Sequence, residues 1–164
     1  MSETWEQRVE AYWDTSAGKS AEQLREELGE LLQGRDPADP RVLFEMASLH
    51  DFLGEEEQAV LPYQQALQAG LGGQKQEEAL IQLASTLRNL GKPGQSVALL
   101  EQIPSSSLLH ADAQGFLALA LLDAGRSTEA LRIAITALAP HARLYGRALA
   151  AYAQDLDVPG AAQR

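Results

Sequence analysis

The reactive groups of this sequence begin with three histidines, His50, His110 and His141, the only imidazoles in a chain without cysteine. Zinc and its neighbours are held by imidazole, thiolate and carboxylate groups at short, regular spacing. No two of the histidines stand four residues apart and no HExxH occurs, so no metal site is expected. His50 reads instead as a packed, hydrogen-bonded histidine. The lack of cysteine excludes disulfides, zinc–thiolate sites and thiol catalysis. No GxSxG elbow offers a serine nucleophile. "GLGGQK", Gly70 to Lys75, is glycine-rich and precedes a helix, but it lacks the leading strand and the GxxxxGK[ST] spacing of a phosphate loop. It reads as a connecting loop. "GEEEQ", Gly54 to Gln58, places acids at a helix start, where the backbone dipole favours them. No catalytic residue, metal or cofactor is expected.

The remaining chemistry is recognition. In "QLASTLRNLG", residues 82 to 91, Leu83, Ala84, Leu87 and Leu90 recur at helical spacing, while Ser85, Thr86, Arg88 and Asn89 fill the rest. Ser85, Arg88 and Asn89 supply donors and acceptors suited to a peptide backbone or a carboxylate. They are equally suited to bracing neighbouring helices.

Composition narrows the partner. The 164 residues are 45% hydrophobic and 22% charged, with a net charge of −10, which is ordinary globular material with enough chain for a core. Acidic balance disfavours nucleic acid, whose phosphates need Lys and Arg, and anionic membrane surfaces. It suits a basic partner. "MSETWEQRVEAYWDT" lacks the apolar core of a secretory signal. The longest apolar-rich stretch, Gly115 to Gly125, falls short of the roughly 20 residues of a membrane span. A soluble, cytoplasmic protein is the expectation.

These groups must be positioned by helices, because Ala, Leu, Gln and Glu dominate and β-branched residues are few. Trp5, Val9, Tyr12 and Trp13 make a first stripe. "SAEQ", Ser20 to Gln23, is a capping box before a second stripe of Leu24, Leu28, Leu31 and Leu32. In "RDPADP", Asp39 caps and Pro40 opens a third helix carrying Leu43, Met46, Ala47 and His50. A fourth carries Ala59, Val60, Tyr63, Ala66 and Leu67, with Pro62 inside it predicting a kink or a later start. The stretch at 82–91 forms the fifth. Pro93 starts a short sixth with Val97, Leu100 and Ile103, broken by "PSSS". The seventh carries Leu109, Ala113, Leu117, Ala120 and Leu121; the eighth, Ala130, Leu131, Ala134 and Leu138; the ninth, Leu144, Ala148, Leu149 and Tyr152. The tail from Val158 is expected to fray.

Helix-stopping glycines at Gly54, Gly91 and Gly125 mark an internal repeat. Aligned from Pro40, Glu77 and Ala111, the repeats place Leu43, Met46, Ala47, His50, Ala59, Tyr63 and Ala66 beside Leu80, Leu83, Ala84, Leu87, Ser96, Leu100 and Ile103. The third repeat gives Gln114, Leu117, Ala118, Leu121, Ala130, Ala134 and Ala137. Ala47, Ala84 and Ala118 let the two helices of each unit approach closely. These positions resemble the tetratricopeptide repeat family. "LFEMASLHDFLG", "VLPYQQALQAGL", "LASTLRNLG", "LLDAGRSTEAL" and "YGRALAAYAQDL" together resemble its bacterial group 5.

The resemblance implies an all-α, right-handed superhelix of about nine antiparallel helices in one domain, with repeats over 39–139 between an N-terminal helix pair (1–38) and a C-terminal capping helix (140–157). It implies a binding scaffold with no attached reaction. Its concave groove would be lined by Phe44, Glu45, Ser48 and Asp51 from the first repeat. Gln82, Ser85, Arg88 and Asn89 would follow from the second, and Asp112, Phe116, Leu119 and Asp123 from the third. Asp51 and Arg88 occupy equivalent positions and are able to pair. The Lys and Asn with which chaperone-binding members of this family clamp a terminal carboxylate are missing, so that partner is not expected. A mixed apolar and acidic groove suits a protein or peptide segment with apolar anchors and basic residues. The other expectation is self-association into a homo-oligomer through a terminal helix, by the Trp5/Tyr12/Trp13 stripe or by Leu144, Tyr145 and Tyr152.

Overall fold

The structure, a computed structural model, describes residues 3–156. The expected end of the last helix at 157 and the tail from Val158 lie outside the described residues. Among those described, all regular structure is helical: α1 (Trp5–Asp14), α2 (Ala21–Leu32), α3 (Pro40–Phe52), α4 (Glu56–Gln68), α5 (Gln74–Asn89), α6 (Pro93–Leu100), α7 (His110–Asp123), α8 (Ser127–Leu138) and α9 (Gly146–Asp155). A single 3-10 turn, Ala139–His141, joins α8 to α9. The chain divides into two compact units, Met1–Leu71 and Gly72–Arg164, described in turn.

In the first unit, helix starts follow local hydrogen-bond chemistry. Ser20 Oγ accepts from the Gln23 amide while the Gln23 side chain accepts from the Ser20 amide, the reciprocal box expected there. Thr4 and Gln7 make the same box ahead of α1. Asp39 accepts from the Arg41 amide at 2.8 Å, and Pro40 takes the first helical position. Tyr12, Leu24, Leu28 and Leu49 form a buried cluster against which Trp13, Leu31, Leu32 and Leu53 pack. α3 and α4 lie side by side, with Ala47, Ala59 and Ala66 fully buried where the helices run close.

Pro62 corrects one expectation. α4 does not start late: it runs from Glu56 to Gln68 with Pro62 inside it. The lost amide frees only the Gln58 carbonyl. Ala59, on one side of the proline, and Tyr63 and Ala66, on the other, are all buried. The packed face therefore holds the helix together across the missing bond.

In the second unit, α5 pairs with α6, α7 with α8, and α9 lies against α8. Leu83, Leu87, Val97, Leu100, Leu117 and Leu121 are buried. Thr86 is buried as well; its hydroxyl donates back to the Gln82 carbonyl at 2.9 Å, so a residue that read as surface sits in the core without an orphaned hydroxyl. Ser107, in the "PSSS" break, donates to Glu77 Oε2 at 2.5 Å and ties the loop before α7 to α5.

The repeat is visible in the backbone itself. The amides of Glu55, Lys92 and Arg126 each reach back five residues, to the carbonyls of His50, Leu87 and Leu121, at 2.8, 2.9 and 2.8 Å. This closure requires the residue before each amide to adopt a left-handed conformation, and Gly54, Gly91 and Gly125 do so with φ of 73°, 72° and 77°. One geometry thus ends the first helix of all three pairs and turns the chain into the second.

Two apolar stripes are rotated from expectation. In α8, Leu131, Ala134 and Leu138 are exposed, and Ala130, Ile133 and Ala137 turn inward. In α9, Ala148 and Tyr152 are exposed, as is Leu144 just before it, while Gly146, Leu149, Ala150 and Ala153 turn inward. Both helices are apolar on more than one side, so periodicity alone admits two faces. Met46 also departs from its expected core position and is exposed.

Candidate partner-binding surface

Among the described residues the three histidines stand on separate elements. His50 Nδ1 lies 2.8 Å from Glu55 Oε2, the bonded histidine expected from sequence. Arg25 forms an ion pair with the other oxygen of Glu55. Hydrogen bonds from His50 and then Arg25 hold the Glu55 carboxyl below its ordinary value of 4.5. Among the described residues no three His, Asp or Glu side chains gather as a metal site would need. A hollow of about 500 Å³ in the first unit is lined by Pro37, Ala38, Leu43, Gln65, Gln68 and Ala69. It has no ionisable side chain.

The expected groove residues separate into two sets. In the first unit, Phe44 and Glu45 are only 3% and 1% exposed, so α3 turns them into the protein. Phe44 packs on Tyr63 with ring centroids 6.1 Å apart. Glu45 accepts from Trp13 Nε1 at 2.7 Å. Burial in the first place, with nearby acids in support, drives the Tyr63 hydroxyl far above its usual range. Ser48 and Asp51 are half-buried, and Asp51 accepts from the Tyr63 hydroxyl at 3.4 Å.

In the second unit the other set lies on two helices in contact, and none of it is buried. Gln82, Ser85 and Arg88 are half-buried and Asn89 exposed along α5; Asp112, Phe116, Leu119 and Asp123 are exposed along α7, which touches α5. Arg88 Nε lies 2.6 Å from Asp123 Oδ2, a charge contact whose angle does not make a directed hydrogen bond. Arg88 therefore braces α5 to α7. Its partner is an acid one repeat along, at the end of α7.

α7 departs from the usual division between an apolar and a polar face. Its inner side is Ala113, Leu117, Ala120 and Leu121, all buried. Its outer side is also apolar, with Phe116, Leu119 and Leu122 at 36, 44 and 53% exposure between Asp112 and Asp123. A helix apolar all round is normally covered on all sides.

The aromatic stripe of α1 is engaged internally. Trp5 Nε1 donates to the Leu31 carbonyl at 3.0 Å, and the Arg35 guanidinium stacks 3.8 Å from its ring centroid. Tyr12 donates to the Leu24 carbonyl at 3.0 Å. Val9 and Tyr12 are buried and Trp5 and Trp13 half-buried, so the stripe packs largely inward. The signal that sequence reasoning missed was the pairing of each indole N–H with an acceptor 26 or 32 residues away, which no local pattern announces.

Paired antiparallel helices with a recurring glycine closure define a helical-repeat protein. The chain belongs to the tetratrico peptide repeat family, whose group 5 model matches residues 40–156. Repeats of this family are non-catalytic and generally mediate protein–protein interaction. No curated protein and no solved structure matches the chain. Among the described residues no helix is long and apolar enough to cross a membrane.

Proposed function

We propose that the chain is a non-catalytic scaffold whose α5–α7 surface binds a protein or peptide segment. The observation that carries this reading is the uncovered apolar side of α7, Phe116, Leu119 and Leu122. Burying the part of these side chains still exposed is worth roughly 0.5–1.5 kcal/mol each before the costs of association. Asp112 at one end of the stripe favours Lys or Arg on the partner. Ser85 and Asn89, across on α5, offer hydrogen-bonding groups to its backbone. Phe44 and Glu45 are set aside because burial leaves them nothing to contact. Arg88 and Asp123 hold the two helices in register. Residues 39–139 act as the repeats in this reading, with 1–38 and 140–157 as the flanking caps.

The test is a random peptide display screen against the purified chain, followed by binding of the selected peptides to a Leu119→Glu variant with unchanged helicity and melting. Selected peptides should share apolar anchors next to Lys or Arg. They should bind the variant at least ~10-fold more weakly. Failure to enrich any sequence, or equal binding to the variant, rejects the α5–α7 surface.

A further inference from the structure

The outer face of α9 is the second uncovered surface, independent of the first. Opposite its inward residues, α9 exposes Arg147, Ala148, Ala151, Tyr152 and Asp155. Tyr152 is 68% exposed, and Leu144 and Tyr145, just before the helix, are 78% and 72% exposed. Single exposed apolar residues are ordinary; three large ones at one helix are not.

The pattern of this face is complementary to itself. Arg147, Ala151 and Asp155 are spaced four apart and so share one side of the helix. The opposite charges stand about 6 Å on either side of Ala151. A second α9 laid antiparallel across the first, with the two-fold axis at Ala151, brings Arg147 of each copy opposite Asp155 of the other. Ala148 and Ala151 offer no bulk, so the axes are free to approach to about 8 Å, and Tyr152 flanks the contact. Among the described residues neither Arg147 nor Asp155 is in an ion pair within the chain.

Long-range charge selects the same pairing. Residues 1–71 hold fifteen of the 23 acids and five of the 13 basic residues, and residues 72–164 hold eight of each. The whole net charge of −10 therefore sits in the first 71 residues. Two N-terminal halves repel each other, whereas two C-terminal halves meet without net repulsion. The N-terminal pair α1 and α2 also exposes no large apolar side chain to match Leu144, Tyr145 and Tyr152.

We propose that the occupant of this face is a second copy of the chain, in a two-fold dimer built on antiparallel α9 helices and reciprocal Arg147–Asp155 ion pairs.

The experiment is sedimentation of the full chain across a dilution series, for the wild type, Arg147→Glu, Asp155→Arg, and a mixture of the two variants. All substitutions are at exposed positions, and circular dichroism checks that helicity is kept. The wild type should reach twice the mass of the single chain. Each variant alone sets like charges opposite each other at both pairs and should dissociate roughly 10-fold more readily or worse. The mixture restores both pairs across the two-fold and should recover the dimer. A wild type that stays monomeric overturns the proposal, whether the face is then covered by residues 157–164 or by another protein. Variants that dimerise as well as the wild type overturn it, because another face is then responsible. Loss in both variants without recovery on mixing overturns it too, because the charges are then not opposed across the axis.

Discussion

At the scale of single residues, the informative groups are polar ones that burial forces into partnership. Glu45 is the clearest. A carboxylate at 1% exposure is tolerated because hydrogen bonding offsets its lost hydration, and one of those bonds comes from Trp13 Nε1. Trp13→Phe keeps most of the ring and removes that donor. It should lower stability by about 1–3 kcal/mol in chemical denaturation, against near-neutral effects for an exposed acid such as Glu10. Glu55 and Tyr12 give the two limbs of a pH profile. Because bonds from His50 and Arg25 lower the folded pKa of Glu55, the unfolded chain takes up its proton first as pH falls. The stabilisation is complete above the ordinary value of 4.5 and fades as pH drops through the lower folded value. Glu55→Gln should flatten that acid limb. Burial, then Glu27 and Glu45, push the Tyr12 hydroxyl up from 10.0 to about 12. Its contribution is present below 10.0 and is lost as pH climbs toward about 12, a limb that Tyr12→Phe should remove.

At the scale of elements, the same alanine substitution has opposite signs at two positions. Pro62 lies within α4 and denies the Gln58 carbonyl its partner. Pro62→Ala restores the bond in a helix already held by Ala59, Tyr63 and Ala66, and should raise stability by about 1–3 kcal/mol. Gly146 opens α9 against the 3-10 turn, where a Cβ would collide with the Ala139 carbonyl oxygen. That atom belongs to the backbone and does not yield as a side chain end would. Gly146→Ala should therefore loosen α9, read as faster hydrogen exchange over 146–156 with exchange over α5 unchanged. Helix propensity alone predicts the reverse, since alanine is the better helix former.

At the scale of the whole molecule, charge and apolar surface are divided between the two halves of the chain. Residues 1–71 carry all of the net −10. The large exposed apolar residues fall mostly in 72–164, from Leu108 to Tyr152. Self-repulsion within a compact acidic unit weakens as salt screens it, the Debye length falling from about 30 Å at 0.01 M to about 10 Å at 0.1 M. Raising salt across that range should slow hydrogen exchange over α1–α4 more than over α5–α9. Equal slowing in both would mean that the ion pairs Arg25–Glu55 and Lys19–Glu27 already neutralise the local field.

The sequence by itself determined the features that depend on near neighbours. Capping at Ser20 and Asp39, the proline at the start of α3, and the glycine closures at Gly54, Gly91 and Gly125 each need only a handful of consecutive residues. The spacing of those closures carried the repeat, and with it the family. Tertiary structure decided everything that turns on which of two faces is covered. Phe44 and Glu45 fit a groove by position, yet burial removes them from any surface. Arg88 meets Asp123, an acid of the following repeat that no local pattern singles out, because the contact between α5 and α7 is set by packing. α8 and α9 have apolar residues on more than one side, so their period is satisfied by two orientations. Only the neighbouring helix, with Gly146 seated against Ala139, chose which face turned inward and left Tyr145 and Tyr152 outside.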